Sequence, residues 1–502
     1  MNRTVLLLAA LLVVAADLRM HGLHDQGFFM FDEARYLLEA GTLREQIREV
    51  STRASAATPT SPSVVEGMAR PLHVLILAAA SSVPMALWIM AGFGLASVIL
   101  VHEIARRAAV FDEQGSAGRV GLIAAFLLAF SPSHIFHSRT LLAEVDAVFF
   151  LLLAVWIYLG DSARPRLFLC GLSFGLAIIA QSRMAMSVPF FLAWDAAKHR
   201  SIPRLAFLVA GLSLPIAGVE TFYQVLRALL HIAGQGESFM TYFEQFLHRH
   251  KTDIGHMAFN RPWFGLSFLV HTESLIITIS FLAGLFLALR RRSPHASLLG
   301  LYACFVLAVA SLYDQDHHSG FRWGRAVAPA LPFVLILAAF FLDHCARRFR
   351  RGSVLLGALL TITLLIRSGT LMELRTMHSD QQEILARAVD RFPAPHYFSE
   401  EPLHIRYFLG GEKLPRSFIP RADTLTVILF DPGYARNFGF TFYLPDSPTH
   451  VISNRSHRPS RLMLAETVGR EDLTLEPMHV PDALIYVLPP ADTPAGRLRR
   501  MF

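Results

Sequence analysis

The chain has 502 residues, of which 53% are hydrophobic and only 17% charged, with a mean hydropathy of +0.42. The apolar residues fall in runs near bilayer-spanning length, which excludes an ordinary soluble enzyme and marks a polytopic membrane protein. A net charge of +7 would suit nucleic-acid binding in a soluble chain, but here most Arg and Lys flank apolar runs, where they set orientation, so no nucleic-acid partner is called for.

The N-terminus, "MNRTVLLLAALLVVAADLRM", places Arg3 before an apolar run that resembles a signal peptide. A retained first helix is the preferred reading, because no small, clean cleavage site follows and many more spans come after. Apolar runs then lie near residues 4–19, 84–104, 119–137, 141–159, 167–195, 205–225, 264–289, 296–313, 326–343 and 353–367. Five basic clusters stand between them, beginning at Arg106, Arg164, Lys198, Arg290 and Arg347. All five are cytoplasmic only if the run 167–195 crosses twice, as two short helices meeting at the polar Gln181-Ser182-Arg183. The positive-inside rule then predicts about eleven spans, with the N-terminus inside and the C-terminus outside.

Four segments share the outer face: 20–83, 226–262, 314–325 and everything after about 368. In the first, Asp32 and Glu33 stand side by side in "GFFMFDEARYLLEAG". Leu72–Ala80 is too short to span, so it is expected to lie in the interface or re-enter, and the Ser/Thr/Pro-rich stretch before it is expected to be mobile. After residue 368 the pattern changes to a helical stretch, "SDQQEILARAVDRF", and short β-rich runs such as "TLTVILFDPG" and "ALIYVLPP". The expected organisation is a transmembrane domain over 1–367 and a small extracytoplasmic α/β domain over 368–502. Cys170, Cys304 and Cys345 lie in or beside spans, so the exported part has no disulfide framework, which fits a bacterial inner membrane.

"FDEARYLLEAG", "ARPLHVLILAA", "LLAFSPSHIFHSRTLLAEVDAVFFLLLA" and "RWGRAVAPALPFVLILAA", in this order over about residues 1–345, resemble the protein O-mannosyltransferase and lipid A aminoarabinose transferase superfamily. The resemblance implies a C-type glycosyltransferase fold with the active site facing the periplasm. It also implies a polyprenyl-phosphate-sugar donor and a lipid, glycan or protein acceptor. The transferred group would be a hexosyl or pentosyl unit.

On that resemblance Asp32 matches the catalytic acid of the first outer loop, which activates the acceptor. Glu33 either assists it through a like-charged pair or orients the helix that follows. Glu144 matches an Asp or Glu at the outer end of the fourth span. Asp146, two residues on, points elsewhere on a helix and is left out of the site. Arg139 is a candidate substrate contact or an ion-pair partner for Glu144. Arg322 and Arg325, three apart before the tenth span, are expected to hold the donor phosphate, because guanidinium groups grip phosphate oxygens bidentately. Arg183 stands where the family often has Lys and serves either as a carrier contact or as a packed, snorkelling side chain.

Two histidine-rich outer stretches, "DQDHHSG" and "FLHRHKTDIGH", bring candidate substrate contacts His250 and His256. Neither has a recognisable ligand spacing, so no cofactor is assigned, and a divalent metal is the lesser reading beside donor contacts. Trp263, in "NRPWFG", is a candidate substrate contact and equally an ordinary interfacial aromatic. A transporter or flippase is the rival class, but it would show paired repeats or midplane charges, and neither is visible. A glycan ligase shares the setting but not the early "FDEARY" loop.

Overall fold

A computed structural model describes residues 3–27, 31–52, 70–110, 117–160, 163–232, 240–247, 263–312 and 324–378, with 396–399, 426–430, 448, 450–452 and 483–488 in the tail. Fifteen helices of eight residues or more are described within it. They are α1 (Arg3–Met20), α2 (Phe31–Thr52), α3 (Pro71–Ala79), α4 (Val83–Val110), α5 (Ala117–Ala129), α6 (Pro132–Arg139), α7 (Glu144–Tyr158) and α8 (Arg164–Ala180). They continue with α9 (Ser187–His199), α10 (Ile202–Ile232), α11 (Phe264–Thr272), α12 (Leu275–Arg290), α13 (Pro294–Leu312), α14 (Leu331–Arg348) and α15 (Gly352–Thr376).

The core lies where α4, α5, α7 and α8 pack in series, with α14 against α5 and α12, and α10 laid along α8. Gly171 on α8 and Gly211 on α10 permit that last contact, since a Cβ on either would strike a backbone carbonyl of the other helix. Small residues let membrane helices approach this closely, where van der Waals packing drives association. The outward faces are apolar: Val354, Leu365 and Phe286 are all more than half exposed, as side chains facing acyl chains should be.

Among the described residues four helices are each long and apolar enough to cross a bilayer: 83–109, 202–228, 294–312 and 352–376. The pair α5 and α6, bent by 60°, adds a fifth if counted as one span. This departs from the uninterrupted runs read in the sequence, and the reason is local in each case. At Ser131-Pro132 the proline cannot donate to the preceding turn, and Ser131 caps a new helix by accepting from the His134 N–H. At Glu273-Ser274, Ser274 takes a positive φ of 117° and accepts from the Ile277 N–H, splitting the expected span 264–289 into α11 and α12. The break expected at Gln181–Arg183 is present: α8 ends there, and a 3₁₀ turn over Ser182–Met186 leads into α9.

Leu72–Ala80, too short to span, folds as a helix held by its neighbours. It forms most of α3, whose Pro71, His73, Val74 and Leu77 are buried, and it packs on α2 and α8. The last helix, α15, continues past the expected boundary at 367 to Thr376. In the tail, strands β1 (His396–Ser399), β2 (Thr426–Phe430), β3 (His450–Ile452) and β4 (Ala483–Leu488) form one sheet in the order β1-β2-β4-β3. The first pair is parallel and the others antiparallel. The helical stretch expected near 379–392 lies outside the described residues.

Candidate active site

The breaks in the helices bring the polar residues together. Because α6 stops at Arg139 and α7 starts at Glu144, the segment between them is free to be held by side chains from elsewhere. Three residues of the first outer segment hold it. Gln26 donates through Nε2 to the Arg139 carbonyl at 2.5 Å, Glu33 accepts from the Leu141 N–H at 3.0 Å, and His73 contacts the Leu141 carbonyl through Nε2 at 3.0 Å. Both polar groups of the Leu141 peptide are therefore satisfied by α2 and α3, which lie far from it in sequence.

His73 is fully buried, and its Nδ1 lies 3.0 Å from Asp146 Oδ2. A carbonyl only accepts, so Nε2 carries a proton, and Nδ1 and Asp146 share the remaining one. Tyr36 meets the same imidazole edge-on at 5.1 Å. Asp146 thus points away from Glu144, as expected of residues two apart on a helix, but it ties α7 to α3.

Glu144 opens α7 and is 2% exposed. Gln181, at the break after α8, donates Nε2 to Glu144 Oε1 at 3.0 Å and accepts from Arg70 Nε at 3.0 Å. The Arg70 guanidinium lies over the Tyr36 ring, 4.7 Å from its centroid. Arg183 and Arg325 each approach the same Glu144 oxygen to 3.9 Å. The carboxylate therefore sits in a field of buried or nearly buried cations from three parts of the chain, with His137 adding to it when protonated. Glu144 Oε2 accepts no hydrogen bond among the described residues.

Of the residues singled out in the sequence, Glu144, Arg183 and Arg325 converge, and Glu33 stands beside them as a backbone anchor. Asp32 occupies the second position of α2, next to Glu33; its side chain, like Arg322, His250 and His256, lies outside the described residues. Arg139 does not pair with Glu144. It ends a different helix and donates instead to the Leu18 carbonyl at 3.2 Å. Trp263 stands at the N-cap of α11 with 72% of its surface exposed, apart from the buried cluster. Among the described residues no three His, Cys, Asp or Glu side chains converge as metal ligands. Sequence reading missed Arg70, His73 and Gln181, whose only signal was polarity within or beside apolar runs.

A second buried polar cluster ties the bundle nearby. Arg367 of α15 pairs with Glu273 and donates Nε to the Glu273 carbonyl at 2.9 Å, while Ser131 donates to Glu273 Oε1 at 2.6 Å. Arg19 of α1 donates to the carbonyls of Leu128 and Ala129 and contacts His134 Nδ1 at 3.0 Å. Both arginines fasten peripheral helices to the α5–α6 bend.

No protein-family model and no curated protein matches the chain. Solved structures do. ArnT from Cupriavidus metallidurans, bound to undecaprenyl phosphate, matches with a TM-score of 0.55 at 14% identity, over 90% of this chain and 96% of that one. The same protein in the apo state gives 0.52. An Archaeoglobus fulgidus oligosaccharyltransferase, tethered to an acceptor peptide containing the NVT sequon, gives 0.50 at 12% identity, over 82% of this chain and 63% of that one. This multi-pass membrane protein has the C-type glycosyltransferase fold.

Proposed function

We propose that the protein transfers a sugar from a polyprenyl-phosphate-linked donor to an envelope acceptor, at the end of the bundle where α2, α7 and the α8–α9 break meet. The observation that carries this reading is Glu144, a buried carboxylate with Arg183 and Arg325 at 3.9 Å, set against the start of α2 by the Glu33–Leu141 hydrogen bond. The fold shared with an undecaprenyl-phosphate-bound transferase supports the choice of carrier.

In the reaction, Asp32 takes the proton from the acceptor hydroxyl or amine as that atom attacks the anomeric carbon. The bond from that carbon to the phosphate oxygen breaks, its electron pair stays on the departing polyprenyl phosphate, and configuration inverts. Arg325 and Arg322 stabilise the leaving phosphate and Arg183 contacts the carrier. Glu144 fixes Arg183 and Arg325 and offers Oε2 to an acceptor donor group. The site faces the periplasm of a bacterial inner membrane, and the tail forms a small α/β domain beside it.

The test is a transfer assay with purified protein in lipid, labelled polyprenyl-phosphate hexoses and pentoses, and envelope extract as acceptor. Release of sugar from at least one donor, with label passing to lipid, glycan or protein, is the expected result. No release from any donor would overturn the reading in favour of lipid or solute translocation.

Glu33 is assigned a positioning role, and its variants separate that from proton transfer. Glu33→Gln keeps an acceptor for the Leu141 N–H and should retain activity within about threefold. Glu33→Ala leaves that buried N–H unpaired, costing about 1–3 kcal/mol of stability and roughly tenfold in transfer. Equal, near-complete loss in both variants would make Glu33 a proton-transferring group instead.

A further inference from the structure

The end of the bundle opposite the candidate active site carries a cleft with a charged rim. Arg325 precedes α14 and Arg347 stands near its end, so the 18-residue helix separates the two sites by about 27 Å. Here a narrow cleft has an apolar floor, including Gly284 and Ala288 of α12 and Phe340 of α14, and a basic rim of Arg291, His344 and Arg347. The absence of a side chain at Gly284 brings α12 against the Leu337 carbonyl of α14 and shapes that floor.

The rim holds more positive charge than the protein neutralises. Arg291 is exposed and contacts His344 Nδ1 at 2.9 Å through Nη2. A guanidinium only donates, so Nδ1 accepts and this imidazole is neutral, leaving the Arg291 charge without an acid among the described residues. The neighbouring carboxylate, Asp343, is already shared by Arg119 and by Arg347 at 2.9 Å. Arg290, Arg292, Arg348, Arg350 and Arg351 add to the same end.

We propose that this cleft binds an anionic glycerophospholipid of the cytoplasmic leaflet, its phosphodiester at Arg291 and Arg347 and part of an acyl chain over the Gly284–Phe340 floor. Basic pockets between helices at this membrane depth recognise anionic headgroups. The apolar floor distinguishes a lipid from a free phosphate or nucleotide. The site is separate from the proposed transfer chemistry, and its occupancy does not depend on that reading.

The test is native mass spectrometry of the full-length protein in detergent, with added phosphatidylglycerol or phosphatidylcholine, and with inorganic phosphate as competitor. Wild type should retain phosphatidylglycerol at least about fivefold better than phosphatidylcholine, and millimolar phosphate should not remove it. Arg291→Gln should abolish the preference, Arg292→Gln should keep it, and Ala288→Leu, which fills the floor with charge intact, should lower retention. Equal retention of the two lipids by wild type, or an unchanged preference in Arg291→Gln, would overturn the proposal. So would displacement by phosphate alone, or an equal loss in Arg292→Gln, which would point to a free-anion site or a diffuse basic surface.

Discussion

Glu144→Gln is expected to lower sugar transfer about 100-fold or more while undecaprenyl phosphate binding is kept or tightened. The amide preserves the size of the side chain and the contact with Gln181, so the fold around it should survive. What it loses is the charge that holds Arg183 and Arg325, each at 3.9 Å, in one arrangement. Released from the carboxylate, both arginines can close on the carrier phosphate, which strengthens ground-state binding without aligning the acceptor, and misplacement of about 1 Å can cost two orders of magnitude. Separate measurement of kcat and of carrier binding checks this. A variant that transfers normally, or that loses carrier binding and transfer together, would place Glu144 outside the assigned role.

Glu273→Gln should destabilise the bundle by about 3–5 kcal/mol, because it leaves Arg367 as a buried, uncompensated charge. Arg367 is tied to the carbonyls of Phe130 and Glu273, and Glu273 to Ser131, so the break between α11 and α12, the α5–α6 bend and α15 all depend on one pair. The double variant Glu273→Leu/Arg367→Met removes both charges and should recover most of the loss, as buried pairs replaced together by apolar residues often are nearly neutral. Denaturation followed by size-exclusion of the single and double variants provides the cycle. A double variant as damaged as the singles would show that the contact shape, not the charge pair, is what matters.

The helical membrane architecture was legible because it depends on composition and run length, and the break at Gln181 was legible because a polar triplet interrupts a run longer than one span requires, which folds as two short helices, α8 and α9. Glu144, Arg183 and Arg325 were singled out through the family resemblance, and the structure brings the three together. Their partners were not singled out. Arg70 with Gln181, and His73 with Asp146, join residues 111 and 73 positions apart, and nothing local records such pairings. Asp146 was set aside because it points away from Glu144, and that same direction lets it reach His73. Arg139 and Glu144 stand five positions apart, close enough in sequence to suggest an ion pair as one alternative, but Thr140 to Ala143 separate two helices. Glu273 went unread because it lies inside a run that reads as one span over 264–289, and Arg367 because it ends the run 353–367, where a charged residue looks like a boundary and not a core contact.

Asp32 as the base is tested by single-turnover sugar transfer by wild type and by Asp32→Asn, with donor binding measured on the same preparations. The amide variant should bind the polyprenyl-phosphate sugar as wild type does and transfer at least about 1,000-fold more slowly, since only the proton acceptor has been removed. Full transfer by Asp32→Asn would contradict it.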